Sequence, residues 1–294
     1  MDTLETLKRR METARTLGDL VRTMKTLAAV SVRHYEALVA TLAEYDHTID
    51  LGMRALLRHA AAPPPSRPRP ELGRMGVLVF GSDQGLCGAF NEHVVRRALE
   101  DLEVTPPNRF RLHAIGTRAG ARLAEAGLEL EGQTSLPLSA SLLPAVVQDL
   151  LLVIDGWREE GDLEGVVLYY NRLLDGTSTR PHRYMLLPIP PELLRRLSHE
   201  PWPTPMLPLH TVDRQQLLSV FTRQYLFVKL HSALALSLAA EHASRLLAMQ
   251  AAERNIDERL DELRGRYHSQ RQTAITTELL DIVSGFEALS SSGS

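Results

Sequence analysis

Two long stretches without proline bracket this chain. Residues 2–59 and 212–289 hold none, and all 17 prolines of the 294 residues fall between them. Proline removes a helical hydrogen bond and clashes with the preceding turn, so long stretches free of it are where long helices can form. In the first stretch apolar residues recur at three- and four-residue spacing, from Leu4 and Leu7 through Val21, Met24 and Ala28 to Ile49, Met53 and Leu56. In the second the same rule runs through Ile256, Leu260, Leu263, Tyr267, Ile275, Leu279, Ile282 and Phe286, interrupted at Arg271. Such spacing puts one apolar stripe on one helix face. At 1.5 Å per residue the two rods would reach ~85 to 90 Å and ~110 to 120 Å. A stripe that long needs an equally long cover, and the two rods can cover each other as an antiparallel coiled coil.

The middle of the chain reads differently. Ala60–Pro70, AAAPPPSRPRP, is a stiff extended connector. After it, short apolar runs at Gly76–Phe80, Arg111–Gly116, Gly165–Asn171 and Arg183–Ile189 read as strands. Helices are expected between them at Asn91–Leu102, with Asn91 as N-cap, at Thr117–Ala126 and at Ser141–Glu160. Strands alternating with helices mean a Rossmann-like α/β layer around a mostly parallel sheet. Pro188–Pro208 reads as an irregular return path. The expected fold is therefore α/β plus a long α-helical coiled coil. Residues 1–60 and 211–294 form the antiparallel pair, 61–74 the connector, 75–195 an inserted α/β domain and 196–210 the return segment.

Composition narrows the function. Charged residues make up 23% and hydrophobic ones 44%, with no apolar run of the ~20 residues a bilayer span requires, so direct membrane insertion is not expected. A net charge of −3 and a pI near 6.4 lack the basic field that nucleic-acid binding draws on. The single cysteine, Cys87, excludes an internal disulfide framework, and the start MDTLETLKRR has no apolar core of a leader, which reads as cytoplasmic.

Four features bear on chemistry. Gly81–Gly88, GSDQGLCG, lies between a strand and a helix, where glycine loops cradle phosphates. Its glycines do not make G-x-G-x-x-G, and no Lys-Ser/Thr follows. Cys87 beside His93 or His113 is a possible nucleophile pair, against the common role of a lone cysteine as a small buried hydrophobe. Asp257, Glu258, Asp261 and Glu262 form a carboxylate cluster, but Arg254, Arg259, Arg264 and Arg266 interleave at helical spacing, which fits ion pairing on a solvated face. Arg271 falls on the seam of the stripe, where a guanidinium needs either solvent or an outside acceptor.

Three motifs in order carry a family resemblance: Leu20–Ala29 (LVRTMKTLAA), Ser82–Asn91 (SDQGLCGAFN) and Arg271–Gly285 (RQTAITTELLDIVSG). Together they resemble the gamma subunit of F-type ATP synthase over essentially the whole chain. The resemblance implies a non-catalytic rotor shaft that needs no cofactor or metal. Its paired terminal helices would enter a head of α and β subunits, with the α/β domain against the epsilon subunit and the membrane c-ring. Ion flow, of protons or sodium, would turn the ring, and the shaft would impose different conformations on the catalytic β subunits. It further implies a peripheral protein on the cytoplasmic face of a bacterial inner membrane. Matched residue by residue, Met24 and Lys25 fall in the short-helix contact region, and Arg271, Gln272 and Thr276 meet acidic loops of β. Ile282, Val283, Phe286 and Leu289 line an apolar bearing. Gln84, Thr26, Val30 and Gly265-Arg266 depart from the family pattern. The alternative is a nucleotide-dependent α/β enzyme with a coiled-coil dimerisation arm, resting on the glycine loop; a helical scaffold without a catalytic complex is a third.

Overall fold

The computed structural model describes residues 3–58, 73–137, 139–174, 178–204, 206, 208 and 211–291, with side chains as far as residue 284. Most of the expected connector lies outside these residues. Helix α1 runs Leu4–Leu57 and α6 runs Arg214–Ser291. Between them come β1 (Arg74–Phe80), α2 (Phe90–Leu102), β2 (Phe110–Ile115), α3 (Thr117–Glu125), β3 (Gly132–Thr134), α4 (Leu143–Glu159), β4 (Leu163–Leu173), β5 (Thr179–Leu187) and α5 (Pro191–His199). The long helices and the α/β layer are those expected.

Residues form two compact units: Ala28–Arg245, and the residues up to Leu27 together with those from Leu246 onward. In the larger unit the sheet order is β3-β2-β1-β4-β5. β1 pairs in parallel with β2 and β4, β2 in parallel with β3, and β5 returns antiparallel beside β4. Val77, Leu78, Val79 and Phe80 of β1 are wholly buried, because this central strand is covered on both faces. Val77 and Val79 pack against α2 and α3 through Val94, Ala98, Ala119 and Leu123. Leu78 and Phe80 face a second core with Val147, Leu150 and Ile154 of α4, Ile49 and Met53 of α1, and Tyr225 and Leu234 of α6. Within this unit α1 and α6 run antiparallel. Tyr35 stacks on His242 at 5.4 Å, Lys229 donates to Asp46 at 2.6 Å, and Tyr45 donates to Gln224 at 2.8 Å.

The smaller unit repeats the antiparallel pairing. Gly18 lies against Ile256, and the Glu253 carboxylate accepts from Lys25 at 2.5 Å and Arg22 at 3.2 Å. Leu7, Met249, Leu260 and Leu263 are its buried apolar residues.

Local readings differ in four places. Pro191–His199 is a helix, with Pro191 in its first turn, a position that tolerates proline because that N–H has no helical partner in any case. The short β3 carries no apolar run and escapes a hydrophobicity reading. Asn91 is not the cap of α2; Ala89 precedes the helix without a side-chain bond, and Asn91 turns inward to the preceding loop. Finally, α4 with the turn before it is long and apolar enough to cross a membrane by composition. Its buried Leu143, Val147, Leu150, Ile154 and Trp157 instead face the sheet.

Candidate functional site

The chemistry expected of the C-terminal motif depends on whether α6 is covered there. In the smaller unit the antiparallel register, Gly18 beside Ile256 and Lys25 beside Glu253, brings the start of α1 alongside residues near Gln270. Burial agrees: Tyr267 and Gln270 are half-buried, and every described side chain from Arg271 to Ser284 is exposed. Arg271 is therefore not held in a seam; it stands in solvent, with no ion pair among the described residues. Gln272 and Thr276 share its exposure, and the Thr276 hydroxyl donates to the Gln272 carbonyl at 2.9 Å. Ile275, Leu279, Leu280, Ile282 and Val283 present a run of apolar side chains to water, Ile282 at 63% exposure. The side chains of Phe286 and Leu289 fall outside the described residues. A helix of this sort gains little from propensity alone, and a contiguous apolar surface at its end marks a place where another surface belongs.

Met24 and Lys25 are half-buried on the paired face of α1. The Lys25 ammonium reaches across to Glu253, and this contact, before that of Arg22, holds the Glu253 carboxyl below its usual range. Glu253 was not singled out from sequence, because one more acid on a charged helix carries no pattern. The interleaved cluster pairs on the surface as expected, Arg259 with Glu262 at 2.5 Å and Arg264 with Asp261 at 2.7 Å.

The glycine loop after β1 is organised around its own side chains. Asn91 accepts the Ser82 N–H at 3.0 Å and donates to the Ser82 hydroxyl at 2.8 Å. The Asp83 carboxylate accepts the Thr117 N–H at the start of α3 and the Leu136 N–H, each at 2.6 Å. An anion already sits where a helix N-terminus would hold a phosphate, and it belongs to the chain. Gly116 makes this crossing possible: its φ is +97°, and a Cβ there would lie 2.7 Å from the Ser82 nitrogen. Cys87 is buried with its sulfur against Ser82, Gln84 and Asn91, and burial pushes the thiol up from its ordinary value. His113 bonds Thr134 instead, at 2.8 Å, and burial lowers its ring. The described residues contain no group of three or more metal-ligating side chains.

One further feature sits behind the loop. Arg245 and Glu241 of α6, one helical turn apart, are both about 95% buried and meet at 2.6 Å. The Arg245 guanidinium also reaches the Gln84 and Gly85 carbonyls, at 3.4 and 3.3 Å. The signal is present in sequence, as an isolated opposite-charge pair at i,i+4 in the stretch Leu234–Met249, which holds no other Asp, Glu, Lys or Arg.

With this geometry in hand, comparison with known proteins is decisive for the family. The chain matches the family model described as ATP synthase over residues 3–289. It is 29% identical over 225 residues to the ATP synthase gamma chain of Nitrosomonas europaea, covering 75% of this chain and 76% of that one. The gamma chain of Nitrosomonas eutropha is 28% identical over the same shares. The chain belongs to the ATP synthase gamma-chain family. Among solved structures, the fold is shared with a rotor chain of the Euglena gracilis mitochondrial ATP synthase, with a TM-score of 0.66 and 14% identity. That match covers 92% of this chain and 98% of the other. A chain of the central stalk and c-ring structure from the Tetrahymena thermophila mitochondrial enzyme matches with a TM-score of 0.57 and 18% identity, over 79% and 99%.

Proposed function

We propose that ion flow through a membrane c-ring turns this chain inside a head of α and β subunits, and that the exposed end of α6 is the surface the head grips. As a gamma chain it is the central rotor shaft of an ATP synthase, a non-catalytic subunit of a membrane-associated complex whose catalysis belongs to β. One observation carries the finer reading: residues 271–284 form a helix whose apolar side chains stand in water, which costs free energy unless another surface covers them, and Arg271 at its start has no ion-pair partner among the described residues.

The mechanism is differential binding. A shaft shifts the conformations of the subunits around it only through contacts that differ between them, so an asymmetric surface must face each β subunit in turn. Arg271 supplies a planar fork matched to carboxylates, and Gln272 and Thr276 stand on the same exposed segment to add hydrogen bonds. Ile282 and Val283, with Phe286 and Leu289 beyond them, would run in an apolar sleeve that permits rotation because dispersion and hydrophobic contact are non-directional. Met24 and Lys25 would meet the head from α1. The α/β unit would bear the epsilon subunit and the ring, on the cytoplasmic face of a bacterial inner membrane.

The test is co-assembly. Tagged chain expressed with the α and β subunits of its own source is expected to return a stoichiometric complex with ATPase activity. Recovery of the chain without α and β would overturn the proposal. Tight nucleotide binding by the isolated chain would favour the enzyme reading instead.

A further inference from the structure

We propose that Arg245 and Glu241 form a clamp that locks the loop after β1 onto α6, so that torque passes between the α/β sheet and the shaft helix without slip. The inference rests on the rotor reading and names positioning residues within it.

The loop joins two bodies. On the sheet side it is pinned by Asp83 at the start of α3, by Asn91 of α2, and through the Asn171 side chain of β4, which donates to the Phe90 carbonyl at 2.9 Å. On the shaft side, Cys87 and Phe90 pack on Ala240 of α6, and Arg245 donates to the Gln84 and Gly85 carbonyls at 3.3 to 3.4 Å. The guanidinium is oriented by Glu241 at 2.6 Å and by His242 Nδ1 at 3.3 Å, and His242 is stacked on Tyr35 of α1. Apolar packing resists separation but is indifferent to small sliding, whereas a fork with several fixed acceptors specifies one register. Burying an ion pair is a poor source of stability, which leaves geometry as what this pair contributes.

The experiment compares wild type, Arg245→Ala, Arg245→Lys and the exchanged pair Glu241→Arg/Arg245→Glu. The exchange restores an i,i+4 ion pair but leaves no donor for the loop carbonyls, so it separates a clamp from a mere helix-stabilising pair. Amide hydrogen exchange of residues 82–90 is measured in the full chain, and torque is measured as ATP-driven rotation against a viscous load in the assembled head. The expected result is faster exchange in the loop and about a threefold loss of torque for Arg245→Ala and the exchanged pair, with Arg245→Lys between. Unloaded ATP hydrolysis is expected to stay at the wild-type rate. Recovery of loop protection and torque by the exchanged pair would overturn the clamp, as would an Arg245→Ala loop that stays protected or a loosened loop with undiminished torque. A wild-type chain that never assembles with the head would sink the rotor reading alone, and the exchange measurement would still decide whether Arg245 holds the loop.

Discussion

Lys25 of α1 and Glu253 of α6 form an ion pair, 2.5 Å between Nζ and Oε2. The lysine is one of only three in the chain, and Arg22 meets the same carboxylate from one turn earlier. The Glu253 carboxyl is held below its ordinary range by Lys25 first and Arg22 after it, so folding favours its charged form. Its contribution to stability is therefore present above the unfolded carboxyl value and disappears as pH falls through the lower folded one. Glu253→Gln is expected to lower the denaturation midpoint at neutral pH, with the difference from wild type shrinking in acid and in about 1 M salt, where screening is nearly complete. Urea melts across pH and salt would show this; a difference that persisted at high salt would contradict an electrostatic origin.

The buried carboxyl of Glu241 behaves in the opposite sense. Burial pushes it up to about 7, and the nearby Arg245 only partly offsets this. A folded value above the unfolded one means that the native state binds the proton more tightly, so stability falls as pH rises from about 4.5 towards 7. Burial raises Cys87 and Tyr35 and lowers His242 to about 4, and these groups, with Asp83, are present in both proteins compared, so they drop out of the difference between them. Wild type is thus expected to lose stability over that interval relative to Glu241→Gln, whatever their absolute difference. Parallel stability profiles for the two proteins would show that Glu241 does not titrate there.

How much of this was legible beforehand follows from what each feature depends on. The long helices and central strand were readable because burial imposes a period: Val21 to Met53 on one face, and Val77 to Phe80 buried on two. Arg271 interrupts the stripe where the cover from α1 stops, one of the two readings its position allows, while the three-four rule continues through Ile275 and Leu279. Periodicity records a stripe and not what covers it. Asn91 looked like a cap by type and position, yet its side chain is drawn to Ser82 by a tertiary bond that local pattern does not contain. The Asp83 contacts reach Thr117 and Leu136, and no spacing rule links such distant positions. The Pro191 helix is hidden because proline breaks a helix interior but is equally at home in a first turn, and local composition does not distinguish the two.

Gly265 lies in the interior of α6, and a Cβ added there meets nothing within 4 Å. Alanine removes backbone freedom from the unfolded chain at no steric cost, so Gly265→Ala should stabilise the helix by about 0.5 to 1 kcal/mol. The readout is amide exchange of residues 260–270 together with the global denaturation midpoint. A destabilised variant would mean that the glycine serves close contact with another surface.

Arg271→Ala removes an exposed side chain that has no ion-pair partner among the described residues. The isolated chain is expected to keep its stability within about 0.5 kcal/mol, as surface changes usually do. Co-assembly or coupled turnover with α and β is expected to fall about tenfold or more, the scale of losing a charge-assisted contact worth 1.5 to 3 kcal/mol. Arg271→Lys should recover only part of this, since an ammonium keeps the charge but not the fork. Undiminished assembly and turnover for Arg271→Ala would remove the residue from the interface.

The apolar end of α6 permits the sharpest separation of stability from binding. Ile282 is 63% exposed and Leu279 58% exposed. Replacing either by aspartate buries no charge in the free chain, so its denaturation midpoint should change little while aggregation, read by light scattering, declines. In the assembled complex the same carboxylate would have to enter an apolar sleeve, where an unpaired charge costs several kcal/mol. Leu279→Asp and Ile282→Asp should therefore yield a more soluble chain that no longer co-purifies with α and β. Serine at the same positions, smaller and uncharged, should retain binding in part. A chain carrying aspartate that still assembled fully would show that these residues face water in the complex as well.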